Sequence, residues 1–142
     1  MFLWSGEAEP GAVPLRMARE AGLMAVNGGN TQMTRERDSL TEVSPIGVPV
    51  GGEFQVYAPV QNENIYTNLW RGPFYGYRGV LETFALTDAP RRLKPIAIYH
   101  HFYSGEKPAS LGALEEVYRW ALAQESLPLR LSDYARKASA FR

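Results

Sequence analysis

Short apolar runs alternate with helical periodicities along the chain. Phe2-Leu3-Trp4 is an extended apolar run that stops at Ser5-Gly6. Over residues 13–21, Val13, Met17, Ala18 and Ala21 share one helical face, and Arg16, Arg19 and Glu20 lie on the other. Pro14 suits a first helical turn and Gly22 a C-terminal stop. Leu23-Met24-Ala25-Val26 predicts a second buried strand, broken by Asn27-Gly28-Gly29-Asn30. The opening order is therefore strand, helix, strand.

The pattern weakens over residues 31–52, where Pro45, Pro49 and Gly51-Gly52 leave 47–50 and 54–57 as short extended pieces. Residues 58–77 read as a long loop dense in amides and aromatics, and residues 77–86 as a helix ending near Pro90. The continuous apolar run over 95–102 predicts a parallel strand buried on both faces. After Gly105, Ser110 is placed to cap a helix whose stripe is Leu111, Leu114, Val117, Tyr118 and Ala121. Residues 127–131 predict a last short strand, and Ser132-Asp133 the start of a terminal helix. Strands alternating with helices predict an α/β architecture with a parallel sheet or a partial barrel.

At 142 residues the chain has the length of about one domain. Its 45% hydrophobic and 21% charged residues predict a globular fold. The 15 basic residues balance the 15 acidic ones without a long Lys/Arg cluster, which argues against nucleic acid or an anionic membrane as partner. The absence of cysteine excludes disulfides and thiolate metal sites. No apolar run approaches the ~20 residues of a transmembrane helix, and no basic-then-apolar leader follows Met1, so neither a membrane span nor a signal peptide is expected.

The two histidines, His100 and His101, stand where the apolar run ends. In parallel α/β folds, chemistry gathers at the C-terminal ends of strands. Neighbours on an extended chain point to opposite faces, so the pair cannot hold one ion from the same side. No His-x-x-His or longer helical His spacing occurs either. One of them suits general acid or base work near neutral pH; with equal weight, both are structural histidines at a strand end. Asn27 and Asn30, around Gly28-Gly29, and Trp4 also follow strands. They can serve a ligand rim, a tight turn or core packing. In the long loop, Gln61, Asn62, Glu63, Asn64, Tyr66 and Trp70 offer the mix of amide, carboxylate and stacking ring that a sugar site uses; the same aromatics can simply fasten the loop.

Four ordered motifs carry a family resemblance over nearly the whole chain: Leu-Trp-Ser-Gly-Glu-Ala-Glu-Pro from Leu3, Val-Asn-Gly-Gly-Asn-Thr from Val26, Tyr-Ala-Pro-Val-Gln-Asn-Glu-Asn from Tyr57, and Ile-Tyr-His-His-Phe-Tyr-Ser-Gly from Ile98. Together they resemble the later part of the deacetylase domain of Pel-type exopolysaccharide deacetylases, distant relatives of the NodB-like polysaccharide deacetylases of carbohydrate esterase family 4. The resemblance implies that residues 1–142 are the C-terminal portion of a distorted (β/α)7 barrel, incomplete, with the early metal-binding half absent. It implies a hydrolase that removes N-acetyl groups from an amino-sugar polymer of the biofilm type, outside the cytoplasm.

In that family a zinc-like divalent metal held by an Asp and two His activates water, and a late-strand His protonates the leaving amine. The general-acid role falls on His101, while His100 occupies a variable place. Trp4, Asn27, Asn30, Gln61, Asn62, Glu63, Asn64, Tyr66 and Trp70 become the expected substrate rim, and Asn30 stands where relatives often carry Asp. The metal ligands are not in this chain, so the missing barrel half, or another chain, is an expected partner and the chain alone is expected to be inactive. The alternative is a catalytically inactive carbohydrate-binding or structural remnant of the same domain.

Overall fold

In a computed structural model, residues 1–4, 9–27, 31–38, 45–92 and 94–141 are described. The element order is β1 (Phe2–Leu3), α1 (Ala12–Glu20), β2 (Ala25–Asn27), β3 (Gly47–Val50), β4 (Glu53–Tyr57), α2 (Glu63–Tyr66), α3 (Val80–Leu86), α4 (Pro108–Leu122) and α5 (Leu131–Phe141). The fold is mixed α/β. The strands form one open sheet in the order β1-β2-β4-β3. β1, β2 and β4 are parallel, with Leu3 opposite Val26 and Val26 opposite Val56. β3 turns through Gly51-Gly52, both at positive φ, to pair antiparallel with β4.

Each piece follows from local chemistry. α1 places Pro14 in its first turn but is turned from the expected face: Val13 and Met17 are exposed and Leu15 is buried, while Arg19 reaches across to Glu53 of β4 through two hydrogen bonds of 2.9 and 3.1 Å. α5 lays Ala135 and Ala138 against Val26 and Val56, and small residues there let the helix approach the sheet closely. A second core joins α3 and α4 through Val80, Phe84, Ala113, Leu114 and Val117, with Val60 and Tyr77 between them. Gly76 is obligatory in this packing, because a Cβ there would fall on the Tyr66 carbonyl.

Two expected strands form no ladder. Residues 95–101 form no strand and join neither edge of the sheet. Pro95 offers no N–H, and the Ala97 N–H turns back to the Pro95 carbonyl at 3.0 Å. The segment is half-buried, with Ile96 and Ile98 packed on the α3–α4 core. Residues 127–130, interrupted by Pro128, are likewise exposed and irregular, and α5 begins at Leu131. The α4 face is also rotated from the expected stripe: Ala113 is buried, whereas Leu111 and Tyr118 are exposed. Pro108 opens that helix, and Ser110 lies inside it, donating to the carbonyls of Ser104 and Lys107.

Lys94 is fully buried, its ammonium 5.5 Å from the centre of the Tyr57 ring. Burial lowers its pKa from 10.5 to about 7. Between those values the unfolded chain holds a proton that the folded chain does not. Stability from this group is therefore fully present above the unfolded pKa and is lost as pH falls toward the folded one. The unfolding free energy in urea should rise from pH 7.5 to 9.5 by roughly 1 kcal/mol per pH unit. Lys94→Met should flatten that rise; an unchanged slope would remove Lys94 as its source.

Candidate functional site

The site is assembled by the segment that carries the histidines and by the helix that follows the central strand. After β4 the chain runs inward, burying residues 58–63. Asn62 caps α2, its side-chain oxygen accepting from the Asn64 N–H at 2.9 Å. That cap sets Glu63 at the first helical position, where only 1% of its surface is exposed.

Glu63 meets His101. Its Oε1 accepts from the backbone N–H of His101 at 2.9 Å and lies 2.7 Å from the ring Nδ1. A carboxylate in this place keeps the proton on Nδ1 and leaves Nε2 as the nitrogen presented outward. The His101 side chain is 34% exposed, enough for a reactant to reach the ring. His100 turns the other way, its Nε2 3.3 Å from the Tyr118 hydroxyl. The opposite orientation expected of neighbouring residues on an extended chain is thus found.

Aromatic rings brace the imidazole. The Tyr103 ring stacks on His101 at 4.9 Å with 6° between planes, and its hydroxyl is 3.1 Å from Nδ1. Burial, with Glu63 adding to it, pushes that hydroxyl up to about 12, so it stays protonated wherever His101 works. Tyr99 lies on a neighbouring side at 5.6 Å, and its carbonyl accepts from the Tyr77 hydroxyl at 2.9 Å. Trp70 packs against Tyr103 at 4.7 Å and against Phe74 at 5.2 Å. Asn68, Leu69 and Trp70 all hold positive φ (50°, 54° and 63°), a left-handed turn that costs roughly 1–2 kcal/mol per residue. Thr67 supports the turn, its hydroxyl accepting from the Trp70 N–H and its carbonyl from Arg71 and Gly72. The strain is maintained where it sets Trp70 on the ring beside His101.

The other expected rim residues have distinct settings. Trp4 and Asn27 adjoin at the ends of β1 and β2, the Asn27 amide donating to the Trp4 carbonyl at 3.4 Å. Asn27, Gln61 and Asn62 are buried. Tyr66 faces inward, its hydroxyl 3.0 Å from that of Thr83, and burial pushes it up to about 12. The Asn64 side chain adjoins the Tyr103 hydroxyl. Asn30 lies outside the described residues. Glu63 is thus a partner of His101 within the protein, which the sequence reading, treating it as one polar member of a sugar rim, did not foresee. Tyr103 was also missed, because the 3-10 turn over Phe102–Gly105, and not strand alternation, carries its ring against the imidazole.

A metal centre does not fit these residues. Among the described residues no three His, Asp or Glu side chains converge, and each histidine already has its own neighbour in Glu63 or Tyr118. A cleft of about 900 Å³ is lined by residues 95–99 and by Tyr118, so that it shares Tyr99 and Tyr118 with the surroundings of the two histidines. Its walls are largely apolar, including Leu3, Ile96, Ile98, Leu122 and Leu127. Comparison with known protein families, curated proteins and solved structures returned no match.

Proposed function

We propose that this chain is the later part of a polysaccharide N-deacetylase barrel, and that His101 is the proton donor to the departing amine of an N-acetylated amino sugar. The observation that supports this most is the pairing of a buried carboxylate, Glu63, with Nδ1 of a partly exposed histidine whose Nε2 has no partner among the described residues. Such a pair loads a proton on Nε2 when the ring is charged and delivers it outward, while Glu63 stabilises the imidazolium. The rings of Tyr103 and Trp70 beside it suit the apolar face of a sugar.

The sheet supports the partial-barrel reading. β1 has β2 on one side and no described strand on the other, and Leu3 and Phe2 are exposed on this edge. The apolar cleft beside it is the kind of surface that further barrel strands would cover. In this reading the divalent metal and its ligands come from outside these 142 residues, and no hydrolytic step is assigned here to the metal.

Titrating the chain with an N-acetylglucosamine or N-acetylgalactosamine pentasaccharide should shift the imidazole NMR signals of His101 more than those of His100, and a glucose pentasaccharide should shift neither. With two histidines the assignment needs only a His100→Gln variant. Absence of any response to both amino-sugar oligomers would overturn the reading.

A further inference from the structure

Tyr103 touches both His101 and the carboxylate that orients it, and these contacts are more specific than packing needs. Its ring lies face to face with the imidazole, 4.9 Å away with 6° between planes, and its hydroxyl is 3.1 Å from Nδ1. Since Nδ1 holds its proton toward Glu63, that nitrogen has no lone pair to offer, so the hydroxyl meets it with oxygen and keeps its own proton for another acceptor. Glu63 and the Asn64 side chain both adjoin that hydroxyl. The carboxylate has capacity for a further donor: Oε1 takes both His101 N–H groups, whereas Oε2 is buried without a hydrogen bond among the described residues. Tyr103 also packs on Trp70 at 4.7 Å, and the Ser104 N–H, donating to the His101 carbonyl at 3.0 Å, fixes the turn between the two rings.

We propose that Tyr103 is a positioning residue for proton transfer at His101: its ring holds the imidazole plane, and its hydroxyl donates to Glu63 and so shares the carboxylate with Nδ1. Its part in a reaction rests on the reading of His101 as the proton donor of a glycan deacetylase. A buried carboxylate answered by His101 alone would hold the imidazolium strongly and make it a reluctant acid, because little else screens its charge. A second donor spreads that charge and brings the proton on Nε2 nearer to the affinity at which acid catalysis works best. The titratable neighbours of His101 are few. Glu63 reaches it from α2, Tyr103 from the 3-10 turn and Tyr99 from its own segment, while His100 turns to Tyr118. Of these, Glu63 carries the opposing charge and Tyr103 is placed to temper it.

The test is the titration of His101 by imidazole NMR in the full chain carrying His100→Gln, with no sugar present. Tyr103 is half-buried and Phe fills the same space, so Tyr103→Phe should melt with the parent chain. Loss of the hydroxyl should raise the proton affinity of His101 by roughly three- to tenfold, the worth of one hydrogen bond to the carboxylate. The Nδ1 proton should move downfield as its bond to Glu63 strengthens. In a Glu63→Gln background, where no charge is left to share, the same substitution should change the affinity by less than about twofold. Tyr103→Leu removes the ring as well and should broaden the His101 signals; sharp signals at the parent positions would deny the ring its part. A Tyr103→Phe chain that titrates like the parent, or takes up its proton less readily, would overturn the sharing of Glu63 and leave the deacetylase reading intact. An equal rise in the Glu63→Gln background would assign the effect to exposure of the imidazole and overturn it too. If the parent fails to respond to the amino-sugar oligomers, the deacetylase reading falls and takes the catalytic part of the proposal with it, whereas the titration decides the sharing of Glu63 independently.

Discussion

His101→Ala should lower the rate of deacetylation by about 10²–10⁴-fold when the chain is joined to the metal-binding part of a polysaccharide deacetylase, whereas His100→Ala should cost less than about tenfold. The difference comes from what each ring touches. His101 has a buried carboxylate at Nδ1 and no partner at Nε2 among the described residues, so it can hold a proton and release it in one direction. His100 has its Nε2 beside the Tyr118 hydroxyl and its Nδ1 3.3 Å from the His101 carbonyl, so both nitrogens face protein groups. Rates measured on an N-acetylhexosamine oligosaccharide decide between them. A greater loss from His100→Ala would exchange their roles.

The elements that rest on local chemistry were legible in the chain, and those that depend on a partner were not. α1 could be read from Pro14 and Gly22 but not its buried face, which is Leu15 and not Val13 or Met17, and β3 and β4 could be read as two short extended pieces around Gly51-Gly52 but not as a pair. β2 lies slightly later than its apolar run, over Ala25–Asn27, because pairing with Val56 and Tyr57 selects the register. The run over 95–101 has the composition of a buried strand, and composition does not reveal that the segment joins neither edge of the sheet and packs on the α3–α4 core instead. Pairing is a long-range property, so a correct apolar pattern gave an extended segment without a ladder.

The site divides in the same way. The attention to the histidine pair and the opposed facing of its members follow from position at the end of the apolar run, while the choice of His101 over His100 came from the family resemblance. The carboxylate that orients His101 is 38 residues away in sequence, and only the path of the chain after β4 brings it near. The resemblance pointed to Asn30 as the place of an acid, yet the carboxylate beside His101 is that of Glu63. Its burial had no local signal: a Glu at the start of a helix is ordinarily a solvated residue favoured by the helix dipole. The left-handed turn at Asn68, Leu69 and Trp70 was equally hidden, since Leu and Trp seldom adopt that conformation.

Glu63→Gln should preserve the fold and remove most of the reaction. The amide has the shape of the carboxylate, and its oxygen can still accept from the His101 backbone N–H, so the loss of stability should stay near ~1 kcal/mol. Catalysis is more sensitive, because an amide stabilises an imidazolium poorly and can also donate to Nδ1, which would move the ring proton to Nε2 in the neutral histidine. A rate loss of about 10²-fold or more is expected, comparable in kind to replacing the orienting carboxylate of a catalytic triad. Glu63→Ala should instead be structurally costly. It leaves a cavity and strips both His101 donors of their acceptor, a loss of roughly 2–4 kcal/mol. Nitrogen-15 imidazole spectra separate the two effects: the parent chain should show the Nδ1–H form of His101, and Glu63→Gln a mixture with the Nε2–H form. A folded Glu63→Gln protein that keeps the parent tautomer and the parent rate would deny Glu63 its part in the reaction.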